Sequence, residues 1–119
     1  MQKRWDYKNL VAWQVSMDLI DVIYTITKEF PKEELFWLSS QSRRAANSIA
    51  LNIAEWNGRK TDKDYKHFLN TSYASSLEVE SAAIIAFRQA YISRQQLKII
   101  EEYIERIKKL IYGITKSLS

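Results

Sequence analysis

Ser93-Arg94-Gln95-Gln96-Leu97-Lys98-Ile99-Ile100-Glu101-Glu102-Tyr103-Ile104-Glu105-Arg106-Ile107-Lys108-Lys109-Leu110-Ile111-Tyr112-Gly113-Ile114-Thr115-Lys116-Ser117-Leu118 decides the fold. Leu97, Ile100, Ile104, Ile107, Ile111, Ile114 and Leu118 recur at alternating spacings of three and four, which places them on one stripe of an α-helix. Ser93 followed three residues later by Gln96 forms a capping box that opens this helix, each side chain satisfying a free backbone N–H of the other. A helix with a single long apolar stripe cannot bury it alone, so the rest of the chain must supply partners.

Working back from that helix, 119 residues contain only two glycines and one proline, too few breakers for a chain of many turns. Leu10, Trp13, Met17, Ile20, Tyr24 and Thr27 keep helical spacing in a first helix, expected from Asn9 to Lys28 and stopped at Phe30-Pro31. A second helix is expected to start at Glu34 or at Ser39 and to run to Trp56, with Asn57-Gly58 supplying the left-handed residue that ends it. A third opens at the capping box Thr61-Asp62-Lys63-Asp64 and reaches about Ala90. Four helices on short connections, at a length fit for one domain spanning residues 1–119, predict an all-α, antiparallel up-down-up-down four-helix bundle.

Some apolar surface exceeds what one bundle needs. Val11, Val15, Leu19, Val22 and Ile26 form a second row on helix one, and Ile99, Tyr103 and Leu110 lie outside the seam of helix four. These residues either widen the core or meet another subunit, and the second reading makes the chain a homo-oligomer. Trp5, Trp37 and Trp56, near helix ends, fit interface anchors.

The second helix carries a polar stripe as well as an apolar one. At about 100° per residue, Gln41, Arg44, Ser48, Asn52, Glu55 and Arg59 share a side, an ordered set that suits bonding to neighbours rather than random solvation. Helix three is small-sided at Ser72, Ala74, Ser75, Ser76, Ser81, Ala82, Ala83 and Ala86, which leaves room for Trp56 or Arg44 of a neighbour. Glu78 and Glu80 lie in that zone, and an inward carboxylate needs a cation, so an Arg44–Glu80 or Arg44–Glu78 bridge is expected, with Arg43 the more exposed of the two arginines.

Composition narrows the chemistry. Without cysteine, and with His67 as the one histidine, thiolate metal sites and histidine-based triads have no material, so no metal, cofactor or small-molecule substrate is expected. No acid, base and nucleophile fall into a catalytic spacing, and Gly58 alone does not make a phosphate loop, so the chain does not read as an enzyme. No apolar run reaches a membrane span of roughly 18 residues, and Met1-Gln2-Lys3-Arg4-Trp5-Asp6 leads into no secretion signal, which predicts a cytoplasmic protein without a membrane partner. A net charge of +4 permits a polyanionic partner. Arg59, Lys60, Lys63, Lys66 and His67 crowd around the turn between helices two and three, with Tyr65 and Tyr73 nearby and Asp62 and Asp64 diluting them. With Arg43, these residues are the candidate phosphate contacts of a nucleic-acid surface, RNA foremost.

Tyr7-Lys8-Asn9-Leu10-Val11-Ala12-Trp13-Gln14, Phe30-Pro31, Ser40-Gln41-Ser42-Arg43-Arg44-Ala45-Ala46-Asn47-Ser48-Ile49, Asn52-Ile53-Ala54-Glu55-Trp56-Asn57-Gly58-Arg59 and Tyr65-Lys66-His67-Phe68-Leu69 resemble, in order and spacing, the S23 or 23S rRNA intervening-sequence proteins. The family is named for genes lying in insertions within 23S rRNA genes, and the resemblance implies a four-helix bundle assembled as a homopentameric ring. In such a ring every copy repeats the basic turn, and weak contacts add. The resemblance also implies kinship with the accessory variability determinant of diversity-generating retroelements, a basic pentamer that binds a reverse transcriptase and nucleic acid. A protein-binding adaptor of that kind is the alternative function. Trp37, Trp56 and Ala74 stand where the family tends to have glycine, and Ala50 where it has proline inside helix two. These exchanges imply a straighter second helix with bulkier flanks.

Overall fold

The computed structural model describes residues 6–58 and 62–117, with residues 35 and 62–64 as backbone only. Among the described residues there are four long helices and no strand: α1 (Val11–Thr27), α2 (Ser40–Asn57), α3 (Asp62–Arg88) and α4 (Arg94–Ser117). Contacts between named pairs fix their directions. Tyr24 and Thr27 of α1 meet Asn47 and Arg43 of α2, Ser75 and Ser72 of α3 meet Ser48 and Ile49 of α2, and Arg94 at the start of α4 stacks on Phe87 near the end of α3. Each successive helix reverses, and α4 also packs on α1, which closes an antiparallel four-helix bundle.

The stripe of α4 is the core: Ile100, Ile104, Ile107 and Ile111 are buried, with Leu97 and Ile114 partly buried on either side. Ser93 and Gln96 make the expected capping box, Gln96 N to Ser93 Oγ at 3.1 Å and Ser93 N to Gln96 Oε1 at 2.8 Å. Leu118 lies outside the described residues.

Helix α1 corrects the expected assignment of its faces. Val15, Leu19 and Ile26 of the second row are buried, together with Ala12, Ser16 and Ile23, whereas Leu10, Trp13, Met17, Ile20 and Tyr24 are only half-buried. Because α1 is wedged between α2 and α4, its apolar arc faces two neighbours, and the middle of that arc, not one edge row, reaches deepest. The surplus on α1 is therefore core width at Val15, Leu19, Val22 and Ile26, while Val11 stays exposed. The same holds for Tyr103 and Leu110 on α4, which pack on the core, while Ile99 stays exposed. Ser16 and Thr27 are buried without penalty because each hydroxyl donates to a carbonyl one turn back, Ala12 O and Ile23 O, both at 2.7 Å.

The connection from α1 to α2 holds a 3-10 turn (Lys32–Glu34) and a π-helical turn (Leu35–Ser39) that runs into α2, so the regular helix begins after both expected starts. Phe36 and Trp37 ride on the π turn, 90% and 60% exposed. Helix α2 then continues unbroken through the buried Ala50.

The end of α2, expected to need a left-handed residue, differs from expectation. Gly58 caps α2 with φ −87° and ψ −6°, a right-handed geometry open to any residue. Instead α3 ends at Arg88, and Ala90 takes φ 65°. Tyr91 N bonds to Ala86 O at 2.8 Å and Ala90 N to Phe87 O at 2.9 Å, the paired bonds of a Schellman motif with alanine where glycine is usual. Tyr91 then packs on Phe30, ring centroids 5.7 Å apart, and its hydroxyl donates to Glu34 Oε2 at 2.9 Å, tying the α3–α4 turn to the α1–α2 connection. That bond to a carboxylate, with partial burial, raises the Tyr91 phenol above its usual pKa.

Candidate nucleic-acid interface

The turn between α2 and α3 is the expected phosphate surface. Lys66 and His67, in the second turn of α3, are exposed, and the His67 ring lies edge-on to Phe68 with centroids 5.2 Å apart. Lys63 belongs to the first turn of α3, but its side chain lies outside the described residues, as do Arg59, Lys60 and the expected cap Thr61. Tyr65 is buried rather than presented for stacking: it meets Trp56 edge to face at 6.2 Å and so joins the ends of α2 and α3. Trp56 thus packs within its own chain instead of serving as an outward anchor, and its Nε1 is buried without an acceptor. Trp5 lies outside the described residues.

Arg43 exchanges roles with Arg44. Arg43 is half-buried between α2 and α1: its Nε donates to Thr27 Oγ1 at 2.8 Å and its guanidinium sits 4.9 Å from the centre of the Tyr24 ring. Arg44 is the exposed one and bonds to Gln41 Oε1 at 2.7 Å along its own helix. The expected bridge from Arg44 to Glu80 or Glu78 is absent. Glu78 is exposed, and Glu80 pairs with Lys108 of α4 at 3.4 Å. The cause is geometric, since Glu80 lies on the α4 side of α3 and Arg44 points outward from α2. Burial pulls the Lys108 pKa down, but Glu80 and then Glu105 at 3.6 Å outweigh it, and the ammonium sits above the usual lysine value.

The middle of the polar stripe is internal wiring. Asn52 Nδ2 donates to Ser48 O at 2.9 Å and to Ser48 Oγ at 3.1 Å, and Ser75 of α3 donates to Ser48 Oγ at 2.8 Å. Glu55, two residues before the end of α2, is exposed. The small residues of α3 make no pocket for Trp56 or Arg44. They bring the α3 surface onto the α2 backbone itself, where the fully buried Ser72 donates to Ile49 O at 2.8 Å.

Lys108, Ser75, Tyr24, Thr27 and Asn47 are polar partners that the sequence does not mark, since Ser75, Tyr24 and Thr27 sit within small-residue or helical patterns that also fit plain packing and Lys108 and Asn47 fall in no pattern. Also unforeseen is a shallow groove between the start of α2 and α3, lined by Trp37, Leu38, Gln41, Leu77, Ser81 and Ile85. Leu77 and Ile85 are 40% and 41% exposed, two turns apart on one side of α3. Among the described residues no cluster of three or more metal-ligating side chains occurs, and no helix is long and apolar enough to cross a membrane.

The sequence profile of the family described as 23S rRNA-intervening sequence protein matches residues 8–113, from the turn before α1 almost to the end of α4. The chain belongs to this family. A solved structure from the S23 ribosomal protein family of Bacteroides thetaiotaomicron, described as a protein with unknown function, superposes on this family member with a TM-score of 0.82 at 28% identity, covering 89% of this chain and 96% of that one. No curated protein matches. The bundle expected from the sequence is thus the fold of the 23S rRNA-intervening sequence family.

Proposed function

We propose that this family member is a noncatalytic cytoplasmic protein that assembles as a homopentamer and binds nucleic acid, RNA foremost, through the connection between α2 and α3. The observation that carries the reading is where that connection falls. Helix α2 ends at Asn57 and α3 begins at Asp62, so the densest run of cations in the sequence, Arg59, Lys60, Lys63, Lys66 and His67, belongs to one corner of the bundle. A run of cations at one connection suits phosphates met without base reading, and repetition around a ring multiplies weak contacts. The apolar strip of Phe36, Trp37, Leu77 and Ile85 supplies surface for subunit association.

The experiment is a binding titration with a single-stranded RNA at 50 and then 200 mM salt, on the natural chain and on the double variant Lys60→Glu, Lys63→Glu. Binding should fall steeply with salt and be abolished by the double variant. Salt-independent binding, or none, would reject the reading.

The exposed strip favours a second reading, a protein-binding adaptor and specifically an accessory subunit of a diversity-generating retroelement reverse transcriptase. Gene context separates the two: an insertion inside a ribosomal RNA gene supports the first, and an adjacent reverse-transcriptase gene the second.

A further inference from the structure

Arg43 is held in place by its neighbours yet left with donors to spare. Its Nε is fixed by Thr27 Oγ1 at 2.8 Å and its guanidinium carbon lies over the Tyr24 ring, 4.9 Å from the centroid, which leaves the two terminal nitrogens without an acceptor among the described residues. The Tyr24 hydroxyl accepts from Asn47 Nδ2 at 2.9 Å, so its own proton and the second amide hydrogen of Asn47 are likewise unspent. Thr27 is already committed, donating to Ile23 O at 2.7 Å. Guanidinium, phenol and amide therefore converge where α1 meets α2, all with free donors and no carboxylate among them. A half-buried cation of fixed geometry, surrounded by donors, suits an anion with several oxygens.

We propose that Arg43, Tyr24 and Asn47 form a seat for one phosphate group, and that in the cell this group is a backbone phosphate of the nucleic acid met at the α2–α3 turn. The proposal rests on the nucleic-acid reading above. A phosphate is favoured over a lone carboxylate because cations stand at both ends of α2, Arg43 and Arg44 near its start and Arg59 and Lys60 just past its end. From Arg43 to Asn57 the helix rises about 21 Å, a separation that a repeating polyanion spans and one carboxylate does not. The turn supplies diffuse attraction. The seat adds orientation, because a guanidinium already stacked and bonded loses little freedom when it captures its ligand.

The test uses the full chain with 15N-labelled arginine, inorganic phosphate as the probe, and constant ionic strength. The Arg43 Nε–H resonance, identified by its loss in Arg43→Lys, should move saturably with phosphate while the other arginine signals move little. Tyr24→Phe, which keeps the stacked ring and removes one donor, should raise the half-saturating phosphate concentration several-fold, and it decides the matter even if Arg43→Lys loses helicity. A shift that Arg43 shares equally with every other arginine would overturn the seat. In a second arm with oligouridine, Arg43→Lys should weaken binding about tenfold. Unchanged oligouridine affinity, with oligoglutamate displacing phosphate instead, would overturn the assignment to nucleic acid. If the Lys60→Glu, Lys63→Glu variant still binds oligouridine and Arg43→Lys does not, the turn reading fails and the seat stands.

Discussion

Ser72 Oγ of α3, fully buried, donates to the main-chain carbonyl of Ile49 in α2 at 2.8 Å. Ser75 Oγ reaches Ser48 Oγ one turn along, and Ala46 of α2 and Ser76 and Val79 of α3 are buried as well. The hydroxyls join the helices without forcing them apart, and the fit depends on small volume as much as on hydrogen bonding.

Ser72→Ala should therefore be mild and Ser72→Val severe. Alanine removes one neutral hydrogen bond, about 1 kcal/mol, from a carbonyl that also lies in the helical ladder. Valine adds two methyl groups to a close backbone approach and should cost about 1–3 kcal/mol more. Urea unfolding monitored by circular dichroism measures both, and equal losses would show that volume is not the constraint.

Ala90 is the one described non-glycine residue with positive φ, at 65°. Ala90→Gly should raise stability by about 0.5–1 kcal/mol, because relief of the left-handed strain exceeds the added freedom of the unfolded chain. A lower midpoint in urea would mean that the Schellman end is not formed as described.

The α3–α4 edge has a pH signature. Glu80 and Glu105 hold Lys108 above its usual pKa, so its contribution is complete below about pH 10.4 and is lost as pH climbs through the folded value. Tyr91, raised by Glu34, has the same sign, keeping its bond below the usual tyrosine range and losing it above. Stability should fall on the alkaline side, less so in the double variant Lys108→Met, Tyr91→Phe. Lys108→Met alone should cost less than about 1 kcal/mol at neutral pH, as ion pairs near the surface do. An alkaline limb that the double variant leaves untouched would assign the loss to other groups.

Phe36 and Trp37 project from the π turn, and Trp37 lines the Leu77–Ile85 groove. Phe36→Ser together with Trp37→Ser should leave monomer helicity intact, since neither side chain is in the core, and should shift the assembly toward monomers in sedimentation. Unchanged sedimentation would place the subunit contacts elsewhere.

The α4 heptad and its Ser93–Gln96 box were legible because an apolar stripe and a cap are local signals, which one helix carries by itself. The face of α1 was not, because its apolar arc is wide and only the positions of α2 and α4 decide that Val15 and Leu19 lie deeper than Trp13 and Ile20. Arg43 and Arg44 differ by one residue and about 100° of rotation, and nothing within α2 distinguishes the one that finds Tyr24 from the one left outside. Glu80 found Lys108 rather than Arg44 for the same reason: polar partners across helices depend on register, which a single helix does not encode.

The most direct measurement is the native mass of the protein with and without a short single-stranded RNA. A nucleic-acid-binding homopentamer gives five chain masses alone, and five plus bound RNA at low salt, with the RNA lost in the Lys60→Glu, Lys63→Glu variant. A monomer unchanged by RNA would contradict both the assembly and the ligand.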